Sequence, residues 1–89
     1  NLVSLNWETK SEKNNDKFNI EHSIDGINFS KIGEVLGQGT TSNANTYSFE
    51  TDIQSNGTHY YRLKQVDFDG TSDYSEIVTV LINGVTLCR

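Results

Sequence analysis

The sequence predicts an all-β fold, a small two-layer β-sandwich, and three observations carry that prediction. Apolar and polar residues alternate with period two along most of the chain. Helix formers are scarce, with no Met and only Ala44, whereas Asn, Ser, Thr and Gly are plentiful. Two Asp-Gly pairs, Asp25-Gly26 and Asp69-Gly70, lie between apolar-patterned runs, where they signal hairpin turns. A chain of 89 residues forms one domain with a single modest core and little margin of stability.

The elements follow in order. In the first strand, from Leu2 to Glu8, Val3, Leu5 and Trp7 share one face, and Ser4, Asn6 and Glu8 take the other. The charged, amide-rich stretch from Ser11 to Asp16 predicts a loop. Phe18, Ile20, His22 and Ile24 then alternate with Asn19, Glu21 and Ser23 in a second strand. Asp25-Gly26 predicts a two-residue type I′ turn, because both residues tolerate the positive φ that this turn needs. The return strand, Ile27 to Leu36, carries Phe29, Ile32 and Val35. Its spacing slips from two to three, which predicts a bulge near Ser30-Lys31.

Gly37 to Asn43 predicts a polar loop, and Thr46 to Glu50 a short strand with Tyr47 and Phe49 on one side. After a polar turn over Asp52 to Thr58, the run from His59 to Asp67 is a strand. Tyr61 and Leu63 point one way along it; Tyr60, Arg62, Lys64 and Val66 point the other. Asp69-Gly70 turns the chain into a closing strand from Tyr74 to Ile82. The expectation is six strands in a domain over residues 1–83, with 84–89 as a tail or linker. Trp7, Phe18, Phe29, Tyr47, Phe49 and Tyr61 fit inward positions and form the expected core.

The net charge of −5 disfavours a nucleic-acid partner, which needs a clustered basic surface, and disfavours an anionic membrane surface. No apolar run approaches the roughly 20 residues of a membrane-spanning helix, so no membrane insertion is expected. No signal peptide is visible; the chain opens inside a strand pattern and is read as a piece of a larger protein. The single cysteine, Cys88, has no internal disulfide partner and reads as an incidental thiol near the end of the domain.

The sequence contains three distinctive strings. They are Leu5-Asn6-Trp7-Glu8-Thr9, the run from Phe18 to Phe29, and the run from Tyr60 to Gly70 followed by Tyr74-Ser75-Glu76-Ile77-Val78. Together they resemble the fibronectin type III-like modules found near the C-termini of bacterial type IX secretion substrates, which usually stand just before the sorting domain. The resemblance extends from Val3 to Val80. It implies a seven-strand immunoglobulin-like sandwich to which this chain supplies strands B, C, C′, E, F and G, with Trp7 as the core tryptophan of strand B. Strand A is missing, truncated or replaced by the Gly84 to Arg89 tail. His59 stands where a tyrosine often falls early in strand F, which puts a tyrosine corner in doubt.

The candidate sites are few. Asp67-Phe68-Asp69-Gly70-Thr71-Ser72-Asp73 has carboxylates and a glycine but lacks the remaining ligand positions of a calcium loop, and reads as a hairpin turn. His22 and His59 have no neighbouring nucleophile and, with Cys88, form too small a set for zinc; His22 reads as a hydrogen-bonded core or edge histidine. Asn28-Phe29-Ser30 and Asn56-Gly57-Thr58 match the glycosylation sequon, with little force in a bacterial setting. No cofactor is implied, and no catalysis is expected.

The residues with a ligand-facing reading are Tyr60, Arg62 and Lys64, on the outward parity of one strand, with Tyr74 beside them. Such a face can stack and hydrogen-bond a sugar, or it can be a packed surface pair of Tyr with Arg and Lys stems. The leading expectation is therefore a non-catalytic spacer module of a secreted or cell-surface bacterial protein, whose partners are neighbouring domains of the same polypeptide. The alternatives are an accessory module that binds polysaccharide or the cell surface through the Tyr60/Arg62/Lys64 face, and a protein-interaction module acting through an exposed edge strand.

Overall fold

The computed structural model describes residues 2–52 and 56–82. The predicted 84–89 tail and Cys88 lie outside the described residues. Among the described residues there are seven strands and no helix: β1 Leu2–Thr9, β2 Glu12–Ser23, β3 Ser30–Thr41, β4 Asn45–Asp52, β5 Gly57–Asp67, β6 Ser72–Tyr74 and β7 Val78–Ile82. All pairing is antiparallel. β1 pairs with β4 in a two-stranded sheet. The second sheet runs β3-β2-β5, with β6 and β7 side by side along the far edge of β5. The two sheets pack face to face as a small all-β sandwich, as predicted.

The core is aromatic where the sheets meet at one end. Trp7 of β1 stacks on Tyr47 of β4 with centroids 5.7 Å apart, and meets Phe18 of β2 edge-on at 5.5 Å. Phe18 and Tyr47 close the triangle at 4.9 Å. At the other end Val3, Tyr61 and Ile82 form a buried cluster flanked by Leu5 and Val80. Between these ends Phe49 lies directly over Gly33, where a Cβ would sit 2.3 Å from its ring. The bulk of the aromatic ring is thus accommodated by a missing side chain in the facing strand.

Several details of the sequence reading are corrected. The predicted loop from Ser11 to Asp16 lies mostly within β2, which is bulged around Asn15 and carries Asn14 at φ 53°. Its inward residues are polar, and that hid the strand. Glu12 and Asn15 are both buried there. The Glu12 carboxylate accepts hydrogen bonds from Thr9 Oγ1 at 2.7 Å, Asn15 Nδ2 at 2.6 Å, the Gln38 N–H at 3.0 Å and the Tyr47 hydroxyl. Burial by itself would raise the Glu12 pKa, but these bonds outweigh it and bring the carboxyl down to about 2.

The predicted loop over Gly37 to Asn43 is likewise largely strand, because β3 continues to Thr41. Gly37 has to be small: a Cβ there would stand 2.5 Å from Asn15 Nδ2. The turn at Asp25-Gly26 is a six-residue loop rather than a two-residue type I′ turn. Gly26 has φ 76°, but Asp25 does not take a positive φ. The Asp25 carboxylate instead gathers the loop, accepting from Ser23 Oγ at 2.7 Å and from the N–H groups of Ile27 and Asn28, both at 2.8 Å. The slip in the following strand is a bulge at Ile32, since Gly33 pairs with Ile20 while Lys31 pairs with Glu21.

The closing strand is two strands, so seven elements replace the expected six. β6 pairs with the far half of β5 and β7 with its near half, interrupted over Ser75 to Ile77. The Ser75 hydroxyl fills part of that interruption by accepting the Leu63 N–H at 2.8 Å. Phe29, expected in the core, lies in the 24–29 loop on the outer side of the five-stranded sheet.

Two predictions follow from this packing. Gly33→Ala drives a methyl into Phe49 and lowers stability by about 1–3 kcal/mol in urea unfolding; in a double-mutant cycle Phe49→Leu relieves part of that loss. Glu12 has a folded pKa below its unfolded value, near 4.3, so its contribution is complete above that pH and is lost as pH falls towards about 2. Glu12→Gln should therefore destabilise the protein at pH 7 and flatten the acid limb of stability between roughly pH 4.3 and 2. Urea titrations at pH 7, 4 and 2.5 measure both effects.

Candidate functional site

The outer face of the five-stranded sheet gathers the residues singled out from the sequence. Arg62 and Lys64 lie on it in β5, and Tyr74 of β6 pairs in register with Lys64. Glu21 of β2 pairs with Arg62 from the other side. Arg62 is the centre of the arrangement. Its Nε donates to Glu21 Oε1 at 2.7 Å. Its guanidinium carbon stands 4.0 Å from the Phe29 ring centroid and 4.1 Å from that of Tyr74, so the cation is held between two aromatic rings. Lys64 Nζ approaches the same Tyr74 ring at 5.9 Å.

Tyr60 stands apart from this group. Its ring packs against the 24–29 loop, where a Cβ on Gly26 would meet it at 3.4 Å. The face is therefore organised as an arginine between Phe29 and Tyr74, with Tyr60 displaced to the loop. Sequence reasoning missed Glu21 and Phe29. Glu21 could have been found from the register of β2 against β5; Phe29 could not, because its position depends on the length of the Asp25 loop.

The polar network continues across the sheet. Lys31 Nζ lies 2.8 Å and Lys17 Nζ 3.7 Å from Glu34 Oε1, and together these two cations hold Glu34 below the usual carboxylate range. The acidic turn after β5 is closed on itself. Thr71 Oγ1 donates to Asp69 Oδ1 at 2.7 Å, Thr71 N–H donates to the same oxygen at 2.9 Å, and Gly70 N–H donates to the Asp67 carbonyl. Asp69 is held below its ordinary pKa by those two bonds from Thr71.

The two histidines, which the sequence left separate, meet on the inner face of the same sheet. His22 Nε2 and His59 Nδ1 are 2.8 Å apart, with ring centroids at 5.0 Å, and Tyr61 lies 5.1 Å from His22. Burial, and then the charge of His59, press the His22 pKa below its ordinary value.

A second candidate site is a groove of about 330 Å³ at the open side of the sandwich. Leu5 and Trp7 of β1 form one wall, Tyr61 and Leu63 of β5 the floor, and Val78 of β7 the far lip. Two polar atoms of its lining residues, Tyr61 OH and Trp7 Nε1, are buried without a hydrogen-bond partner. Periodicity placed these side chains inward, but it gave no sign that the sheet over them would be two strands wide among the described residues.

Comparisons of the chain with family models, with curated proteins and with solved structures returned no match.

The histidine pair sets a pH dependence. A histidine whose folded pKa is depressed contributes stability in full above its unfolded value, near 6.5, and loses it as pH falls below that point. The thermal midpoint should accordingly drop between pH 7.5 and pH 5, above the window in which Glu12 titrates. His22→Asn should flatten that drop in a pH series of thermal melts.

Proposed function

We propose that the chain is a fibronectin type III-like sandwich acting as a non-catalytic structural module, a spacer within a larger secreted or cell-surface bacterial protein. Its place would lie between an upstream functional region and a C-terminal sorting domain. The observation that carries the spacer reading is the closure of the outer face upon itself. Arg62 is committed to Glu21, Phe29 and Tyr74, and Glu34 is committed to Lys31 and Lys17. A face whose charges are matched internally resists non-specific association and gives the sheet a rigid, solvated exterior.

Strand pairing supports the fibronectin type III-like assignment. β1 with β4 corresponds to strand B with E, and β3-β2-β5 with β6 and β7 corresponds to C′, C, F and G. The secretion context rests on the sequence resemblance.

One observation favours a second reading. Tyr74 is 54% exposed and stands beside Arg62 and Lys64, so part of its ring remains open to a flat ligand such as a sugar. A glycan array with the intact chain separates the two. The spacer reading expects no saturable binding. A saturable signal that Tyr74→Ala or Tyr60→Ala removes, while the far-UV spectrum is unchanged, would assign the module to carbohydrate binding instead.

A further inference from the structure

An asparagine side chain is thermolabile because the next residue's main-chain nitrogen can attack its amide carbon, and a glycine at that next position leaves the approach open. Among the described residues Asn56 is the one asparagine that precedes a glycine. It is exposed and lies outside any strand, at the entry to β5. Gly57 takes φ 115°, a conformation that residues with a Cβ rarely adopt, and a Cβ placed there would meet nothing within 4 Å. The nitrogen is therefore unhindered from its own residue. Other described asparagines are held differently. Asn15 is buried and bonded to Glu12, and Asn28 donates its Nδ2 to Asp25 at 2.9 Å and is followed by the bulky Phe29.

We propose that Asn56-Gly57 is a site of spontaneous covalent modification in the folded protein, where water converts the side-chain amide to an acid by way of a cyclic imide. The Gly57 nitrogen bonds to Asn56 Cγ, the Cγ–Nδ2 bond breaks, and the Gly57 N–H proton leaves with Nδ2 as ammonia. Water then adds to one of the two imide carbonyls and opens the ring. Opening at Cγ leaves an ordinary aspartate at position 56; opening at the main-chain carbonyl leaves isoaspartate. Either product adds a negative charge to a chain already at −5. Isoaspartate also routes the main chain through an additional carbon, a lengthening of roughly 1.5 Å. That insertion falls directly before Gly57↔Ile82, the end pair of β5 with β7, and Ile82 is buried in one cluster with Val3 and Tyr61. The added carbon thus acts on a contact between the two sheets. Spacer and sugar-binding roles alike leave this chemistry unchanged.

Ageing the whole folded chain in warm, mildly alkaline buffer tests this, with fragmentation mass spectrometry locating each converted amide. Asn56 should turn into an acid several-fold faster than Asn28 or Asn43, largely as isoaspartate, which enzymatic methylation of isoaspartyl carboxylates detects. Asn56→Ser should abolish conversion at that position and leave unchanged the conversion of Asn83, which also precedes a glycine in the sequence. Conversion of Asn83 while Asn56 stays intact in the folded chain overturns the proposal. So does conversion at Asn56 that occurs only in urea. The isoaspartyl form, separated by ion exchange, should unfold at lower urea than both the parent and Asn56→Asp, which carries the charge without the added carbon. Equal midpoints for the isoaspartyl form and Asn56→Asp overturn the effect assigned to the lengthened chain.

Discussion

The structure depends on one buried carboxylate. Glu12 sits where the end of β1, the start of β2, the middle of β3 and the face of β4 converge, and it accepts a hydrogen bond from each of them. A charge removed from water is costly unless every lone pair is used, and here donors from both sheets use them. The same interaction fixes its surroundings. Tyr47 is held with its ring under Trp7, and its hydroxyl is pushed up to about 12, by burial first and then by the Glu12 carboxylate. Asn15 must lie flat beneath β3, and that excludes any side chain at Gly37. The aromatic triangle of Trp7, Phe18 and Tyr47 is thus positioned by a polar contact, an arrangement suited to a domain whose apolar core is small.

Among the described residues the other end of the sandwich has no comparable anchor. There the contact between sheets is made by Val3, Tyr61 and Ile82, with Leu5 and Val80 at the margin. Among the described residues the two ends are held differently: one by directional bonds, the other by non-directional burial. The groove opens from this second region along β1. Hydrophobic contacts are not directional, whereas the Glu12 carboxylate holds its donors at fixed positions.

Period-two patterning made the strand faces legible. It placed Val3, Leu5, Trp7, Phe18, Ile20, Tyr47 and Tyr61 inward and Arg62 and Lys64 outward, and pairing in the structure agrees with each. It failed where an inward residue is polar. Glu12 and Asn15 look like loop residues in the sequence because Glu12 is buried through partners 26 and 35 positions away, at Gln38 and Tyr47, and Asn15 is bonded to Glu12 in turn. Asp25-Gly26 marked a turn correctly, but the carboxylate collects four N–H and O–H donors in a longer loop, and Phe29 lies in that loop outside the core. Of the outer face, the Tyr60, Arg62 and Lys64 parity was legible; the Glu21 and Phe29 partners that fill Arg62's coordination were not, because they follow from strand register and loop length.

These two surfaces therefore stand in opposite conditions. On the broad face, Arg62 has its ion pair and its two rings, and Glu34 has its two lysines, so a ligand there must break existing contacts before forming its own. In the groove beside β1, Tyr61 OH and Trp7 Nε1 are buried without a hydrogen-bond partner, so polar capacity is left over on that side. A new contact therefore costs more on the broad face than in the groove.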